Sequence, residues 1–397
     1  MLHIAVKMLI GDRAKYIGLV LGVTFTAFLV TFAASYLCGI LTFGFALVAE
    51  NPAADVWVMD LAVQSVEPAI NLPTWALARV RSVEGVTYAM PLALASAQAR
   101  LPNGRFIPVE IIAVDDATLA GAPAAPAGAA PLALRTGSSI FADAGGTEGK
   151  LLAPALDADR WPKDEPHLNA PMRDLSAGDE VAVNDHLLRV AGVTRTLPRF
   201  PPRPLFYMTY ATAQQVLPAE RNRTTFVMVA AAPGVPSRDL AARITTRTGL
   251  RARSSADFKA DTVRWTLENS EDVGDMAAML AIAACVGLGG TGVLMFMFTA
   301  DNARHYAVLA AMGADRWLLV RMVLAQASLC GLVGTGLGLG LCAFAVWWAA
   351  GAGYPFRMMW FNPLVGAVAV LVVCLVAACV SLRPVLKLQP VDAFAPR

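Results

Sequence analysis

Four runs of the chain carry no Asp, Glu, Lys or Arg: Tyr16 to Ala49, Met276 to Ala300, Met322 to Phe356 and Met358 to Leu382. Each reaches the roughly 20 apolar residues needed to cross a bilayer core. The pattern predicts transmembrane helices over 16–49, 276–300, 322–350 and 358–382, with a short external hairpin at 351–357. An amphipathic segment, 1–15, precedes them and a tail, 383–397, follows. The first run is longer than the apolar core of a signal peptide, which is about 7–15 residues. Around Cys38 the string "SYLCG" puts bulky Leu37 where a lipoprotein signal needs a small residue.

Between the first and second runs the pattern changes to short elements of mixed period. "ADVWVMD" (54–60) reads as a strand, and "LPTWALARVRSV" (72–83) as a helix closed by Gly85. "VTYAMPLALASAQARL" and "RFIPVEIIAVD" read as two strands joined at Asn103-Gly104, a strong hairpin signal. A stretch rich in Ala, Pro and Gly follows, including "AGAPAAPAGAAP" (120–131), and predicts irregular chain. "GDEVAVNDHLLRVAGVTRT" (178–196) predicts a hairpin turning at Asn184-Asp185, and "PRFPPRPLFYM" (198–208) a Pro-broken loop ending in a strand. "TTFVMVAA", "SRDLAARITTRTG" and "LRARSSADF" then give strand, helix, strand. The expected fold is four transmembrane helices plus a large α+β domain over 50–275, split by a β-rich insert over about 117–222. From Asp261 to Asp275 the pattern is helical and acidic, and predicts a helix running on into the second span as a stalk.

Charge sets the orientation. Lys7, Arg13 and Lys15 precede the first span, Arg304, Arg316 and Arg321 lie between the second and third, and Arg383, Lys387 and Arg397 follow the fourth. By the positive-inside rule these segments, both termini included, are cytoplasmic and the domain is external. The domain holds 22 basic and 26 acidic residues, so the whole-chain value of +2 describes neither side. No basic patch points to nucleic acid. All six cysteines lie in the apolar runs, so the domain has no disulfide.

The chemistry of several enzyme classes is missing. No G-x-x-x-x-G-K-[ST] loop occurs to hold nucleotide phosphates, no G-x-S-x-G elbow, and no ligand-spaced Cys/His set. The spans hold no charged residue for a proton relay; their main polar side chains, Gln326 and Asn362, are expected to bond between helices. "GLVGTGLGLG" (331–340) is read as membrane packing, with Gly334 and Gly338, and Gly336 and Gly340, as small-xxx-small pairs. Gly287 and Thr291 offer the same in the second span.

The charged excursion 301–321, "DNARHYAVLAAMGADRWLLVR", predicts a short helix with Tyr306, Leu309, Ala310 and Met312 on one apolar side. Gly313 suits a left-handed C-terminal cap, and Asp315 the N-cap of the next helix. Its basic residues either rest on lipid headgroups or offer a docking surface to a cytoplasmic partner.

"YAVLAAMGADRWLLVRMVLAQASLCGLVGTGLGLGL" (306–341) resembles the cytoplasmic turn and third span of FtsX-like ABC transporter permeases of the MacB or type VII fold. The layout of spans and external domain resembles them too, and the domain pattern is similar to the two-part external domains of MacB-type proteins. "LIGDRAKYIGLVLGVTFTAFLV" (9–30) resembles the DevC-type exporter permeases, and "LKLQPVDAF" (386–394) the usual family ending. Tyr306, Leu309, Ala311, Met312 and Gly313 match the family turn, while His305 stands for the usual Glu and Ala310 for the usual Lys or Arg. The resemblance implies a permease homodimer coupled to a separate ABC ATPase, which holds the ATP and Mg; the chain itself binds no cofactor or metal. Arg304, His305, Tyr306, Leu309, Met312 and Gly313 would form the coupling surface. It implies a bacterial inner membrane, a periplasmic domain, and export of a lipid-like or amphiphilic cargo with a periplasmic adaptor (membrane fusion protein) and a TolC-like outer-membrane channel. In that frame Arg199, Phe200, Arg203 and Phe206 are either the adaptor contact or part of a solvated loop. Lipoprotein extraction of the Lol type and FtsX-type regulation of cell-wall hydrolases share the layout and remain alternatives.

Overall fold

The computed structural model describes residues 7–9, 11–67, 70–123, 131–155, 171–218 and 223–386, with Arg316 and 383–386 described by their backbone alone. The motif at 386–394, His3, His167, and most of 120–131 therefore lie outside the described residues. The helices, in chain order, are α1 (Arg13–Gly44), α2 (Ala46–Ala49), α3 (Ala76–Arg81), α4 (Tyr210–Val216), α5 (Ser237–Thr248), α6 (Ser255–Asn269), α7 (Glu271–Asp301), α8 (Ala303–Ala311), α9 (Arg316–Gly351) and α10 (Asn362–Leu386). The strands are β1 (Val56–Met59), β2 (Val86–Arg100), β3 (Phe106–Val114), β4 (Ser139–Asp143), β5 (Leu152–Pro154), β6 (Met172–Asp174), β7 (Glu180–Val183), β8 (His186–Thr194), β9 (Leu205–Thr209), β10 (Phe226–Ala231) and β11 (Arg251–Ser254). The chain forms two compact units, 1–39 with 271–350 and 356–397, and 40–270 with 351–355.

The first unit is helical. Helices α1, α7, α9 and α10 are each long and apolar enough to cross a membrane. They overrun the uncharged sequence at several ends, because a helix continues into polar residues until a cap stops it; α9 runs 316–351 where 322–350 is expected. Leu19, Val23 and Ala27 of α1 are buried, while Leu332, Leu337, Leu371 and their neighbours on α9 and α10 face outward. Apolar residues turned away from the protein are the pattern of a lipid-facing surface. Trp347 and Trp348 near the end of α9, and Trp360 just before α10, are also exposed, as indoles at a membrane boundary are.

The second unit is α+β and is organised by one 15-residue strand, β2. Its first half closes a four-stranded antiparallel sheet in the order β11-β1-β10-β2. One face of that sheet packs Val56, Val58, Val227 and Val229 on Leu240 and Ile244 of α5 and Val80 of α3. The other packs Trp57, Phe226 and Met228 on Phe258 of α6. Those three rings meet at 5.7–6.0 Å between centroids, and Trp57 Nε1 donates to Ser255 Oγ at 3.1 Å.

The second half of β2 belongs to a barrel. It pairs with β3, β3 with β9, β9 with β4, β4 with β8, and β8 with β7. Val183 and Ala182 of β7 then return to Ala99 and Arg100 of β2, closing a six-stranded ring. Ala95, Ala97 and Ala99 point into the core while Ser96, Gln98 and Arg100 face out, the period-two pattern of a strand with one wet side. Ile111, Ile140, Val190, Phe206 and Met208 fill the same interior.

This architecture corrects two expectations. The β-rich part does not begin near 117: it takes Ala93 onward from β2, and all of β3, because ring closure needs the first hairpin as two of its staves. The Ala-, Pro- and Gly-rich stretch also contains β4, wholly buried, and the β5–β6 pair. The predicted hairpin at Asn184-Asp185 is present, with φ of 48° and 64° at the two turn residues. Both being left-handed, the turn matches the strand twist. A third correction concerns the stalk. Helix α6 stops at Asn269, and Ser270 is extended (φ −84°, ψ 128°), so no single helix runs from the domain into α7.

Candidate functional site

The excursion between α7 and α9 forms a fixed corner. Asn302 is its first joint: its side chain donates to the Phe298 carbonyl at 2.9 Å, and its own carbonyl accepts from the His305 and Tyr306 amides. Helix α8 then turns Tyr306, Ala307 and Leu309 inward, onto a core that includes Phe298, Leu319, Met322 and Val323. The Tyr306 hydroxyl donates to Gln326 Oε1 at 3.0 Å in a buried contact. Burial pushes its phenol up to about 12, so the ring stays a neutral donor.

The corner is locked by its glycine. Gly313 sits at φ +93°, where L side chains are strained. Its amide donates to the Ala310 carbonyl and the Ala314 amide to the Leu309 carbonyl, each at 3.0 Å. Those two bonds are a Schellman cap, which satisfies carbonyls the helix end would otherwise strand. Two residues on, the Asp315 carbonyl accepts from the amides of Leu318 and Leu319 and opens α9. Lys15, near the start of α1, bridges Asp301 at 2.5 Å and Asp12 at 2.9 Å, placing another cation beside this face.

Of the predicted coupling residues, Tyr306 and Leu309 are buried and support the corner, whereas Arg304, His305, Met312 and Gly313 are exposed. Met312 is 71% exposed, not part of the apolar side as expected, because the cap turns the chain before it reaches the core. With Val308 and Trp317 it gives the face exposed apolar contacts, and Arg321 lies 5.6 Å over the Trp317 ring. The arrangement offers shape, positive charge and apolar anchors, which suit binding.

The predicted glycine pairs separate. A Cβ at Gly334 would lie 2.6 Å from Val23 Cγ1, and one at Gly338 would lie 2.6 Å from both Ala27 Cβ and the Thr24 carbonyl, so both lie where α9 crosses α1. Gly336 and Gly340 meet nothing within 4 Å among the described residues. Gly287 presses on Thr26 and Gly366 on Thr31, so α7, α9 and α10 all approach α1 through glycine. Asn362 donates to Ser35 Oγ at 3.3 Å, joining α10 to α1 by side chains.

The loop read as an adaptor contact is mostly interior. Arg199 is 4% exposed and donates to Glu110 Oε1 at 2.6 Å; Phe206 is wholly buried inside the barrel. Neither reaches a partner's surface, and Phe200 and Arg203 line a cavity instead. Sequence reading missed Glu110, though it carried a signal: a lone carboxylate in the apolar run "IPVEIIAV" needs a buried partner.

Residues 277–390 match the FtsX-like permease C-terminal family. This FtsX-like segment contains the corner, α9, α10 and most of α7, and is under a third of the 397 residues. No curated protein matches the chain. Among solved structures, the periplasmic region of MacB from Actinobacillus actinomycetemcomitans is 12% identical, covering 55% of this chain and 94% of that one, with a TM-score of 0.34. The extracellular domain of the noncanonic ABC-type transporter YknZ from Gram-positive bacteria is 11% identical, covering 51% and 98%, with a TM-score of 0.31. A domain of a putative permease protein from Porphyromonas gingivalis is 13% identical, covering 51% and 89%, with a TM-score of 0.29. Scores this low leave those three likenesses without weight for fold or activity.

Proposed function

We propose that this chain is the transmembrane permease subunit of an ABC transporter and works with a separate ATPase subunit. The observation that carries the reading is the match of 277–390 to the FtsX-like permease C-terminal family, over the stretch that holds the corner. Arg304, His305, Val308 and Met312 form the docking face for the ATPase, which holds ATP and Mg; this chain binds no nucleotide. Tyr306, Leu309 and Gly313 keep that face rigid, so that a push on α8 is passed to α9 and not absorbed by the turn.

The chain acts as a homodimer in a bacterial inner membrane, with both termini cytoplasmic and 50–275 periplasmic. The basic residues flanking α1 and the corner support that orientation. The cargo is amphiphilic, and export runs through a periplasmic adaptor and a TolC-like channel, as the resemblance to DevC-type permeases implies.

The test is to purify the tagged full chain from membranes in mild detergent and identify what accompanies it. Recovery of an ABC ATPase is expected, and its absence overturns the permease reading. An adaptor recovered with the ATPase supports export. Acylated lipoproteins or a cell-wall hydrolase in its place would replace export with extraction or regulation.

A further inference from the structure

The α+β unit carries an open groove of about 820 Å³, in the size range of small-molecule sites. Helix α5, edge strand β11 and helix α6 follow one another closely in the chain, and all three line it. They set four arginines around one hollow: Arg238 from α5, Arg251 and Arg253 from β11, and Arg264 from α6. Among the described residues, two carboxylates face them there, Asp257 and Asp261. Both are already engaged. Asp257 accepts from Arg238 at 3.0 and 2.8 Å and from Ser254 Oγ at 2.7 Å. Asp261 accepts from Arg253 at 2.6 and 2.7 Å and from Arg251 at 2.9 Å. The arginines have donors left, since a guanidinium carries five N–H groups. Arg238 and Arg253 each spend two on aspartate and Arg251 one. Arg264 makes no ion pair among the described residues. A ligand can reach these groups: the Arg238 and Arg253 side chains are 75% and 40% exposed, and Arg264 is exposed.

Charge and geometry narrow the occupant. The region 50–275 has more acidic than basic residues, 26 against 22, yet this lining has four cations to two anions. Arg238, and then the more distant Arg253 charge, hold the Asp257 carboxyl below its ordinary range, so both guanidinium groups stand near one carboxylate. The aspartates fix the planes of the forks before any ligand arrives, which lowers the ordering cost of binding. A cation is repelled here. A monocarboxylate brings one charge and two oxygens. A phosphate monoester brings a charge near −2 at neutral pH and three strong acceptor oxygens, which match the surplus of the lining and the fork geometry of arginine. The groove is larger than a phosphate alone, and Leu61, Ala241 and Ala242 also line it, leaving room for the group that the phosphate esterifies.

We propose that this groove binds a phosphate monoester, its phosphoryl oxygens taken by the unspent donors of Arg238 and Arg253 in the field of Arg251 and Arg264. The site goes beyond the transport reading and does not depend on it, since its test reads binding alone.

The experiment uses the full chain in nanodiscs of phosphatidylcholine, whose headgroup has no net charge, with isothermal titration calorimetry at low salt to limit screening. Glycerol 3-phosphate and short-chain dihexanoyl phosphatidic acid, kept below its micelle concentration, are the monoester probes; acetate and dimethyl phosphate are the singly charged controls. Saturable binding of a monoester is expected, tighter than either control. Tighter binding of glycerol 3-phosphate assigns the site to a free metabolite, and tighter binding of the phosphatidic acid to a lipid headgroup. Arg238→Gln should weaken binding about tenfold. It should leave the melting temperature in place, because an exposed ion pair adds little stability and Asp257 keeps its bond from Ser254 Oγ. Arg264→Gln removes a cation that pairs with nothing and should also weaken binding, which keeps the test open should Arg238→Gln fold poorly. Arg247→Gln, an exposed arginine of α5 outside the groove, should change nothing. No saturable binding of either monoester, equal binding of acetate or dimethyl phosphate, undiminished binding by folded Arg238→Gln or Arg264→Gln, or an equal loss in Arg247→Gln would each overturn the proposal.

Discussion

The Tyr306 hydroxyl and Gln326 Oε1 meet at 3.0 Å, tying helix α8 to a residue of α9 that is 20 positions further along the chain. Both groups are buried, so the bond is shielded from water. Tyr306→Phe removes this buried bond and should destabilise the helical unit by about 0.5–1.5 kcal/mol. Gln326→Leu should cost less in the Tyr306→Phe background than in the wild type, since the shared bond is then already gone; a double-mutant cycle on thermal melting in detergent checks it. The pH dependence has a definite sign. The folded phenol titrates at about 12, above its ordinary value of 10.0. Its contribution is complete below pH 10 and lost as pH rises through 12, and Tyr306→Phe should remove that alkaline component.

Gly313 should tolerate no other residue without a loss. At φ +93° an alanine is strained by about 1–2 kcal/mol. Gly313→Pro is worse, since its ring fixes φ near −65° and deletes the amide that bonds Ala310. Membrane insertion should survive, and stimulation of the ATPase proposed as its partner should fall to its uncoupled level. Leu309→Asp, which puts a charge into the corner's core, should do the same. Unchanged ATPase activity in a reconstituted complex would show that the corner does not couple.

The glycines of α9 should divide by position. Gly338→Val forces atoms against Ala27 and the Thr24 carbonyl, and should lower the melting temperature of the chain in detergent. Gly336→Ala and Gly340→Ala meet open space and replace a poor helix former, a gain of up to about 1 kcal/mol each. A loss at Gly336 or Gly340 equal to that at Gly338 would place them in a contact with another chain.

Arg199→Met should cost the α+β unit about 3–5 kcal/mol by leaving Glu110 charged and alone. Arg199→Met with Glu110→Leu should restore most of it, read by denaturant unfolding. Beside this pair, burial and the Glu110 charge push the Glu67 carboxyl above its ordinary value of 4.5, against the pull of Arg199 and Arg203. A raised carboxyl stabilises the fold below its unfolded value and loses that contribution as pH rises through the folded one. The wild-type unit should therefore lose stability as pH rises from about 4.5, and Glu67→Gln should flatten that slope.

The membrane helices were legible because lipid leaves no room for charge, and the loss of charge is local in sequence. The Asn184-Asp185 turn was legible for a related reason: left-handed backbone favours those side chains. The barrel was not. Its closure rests on Val183 meeting Ala99, and β3 runs parallel to β9 at pairs such as Glu110 and Leu205, neither of which a local window contains. The same distance defeated the reading of "PRFPPRPLF". Its prolines and arginines look like a surface loop until Glu110, 89 positions away, draws Arg199 inside. Met312 failed differently, since a helical wheel assigned it a face that the cap at Gly313 removes.

Strand β2 serves the open sheet with its first half and the barrel with its second. Alternate residues of one strand point to opposite faces, so a slip of one position would turn Ala95, Ala97 and Ala99 out of the barrel and misplace Leu92 and Leu94 in the neighbouring core. The two halves therefore hold each other in register, and neither can melt while the other stays native. The α+β unit should unfold in a single cooperative step, and a cut within β2 should leave two fragments that fold only together.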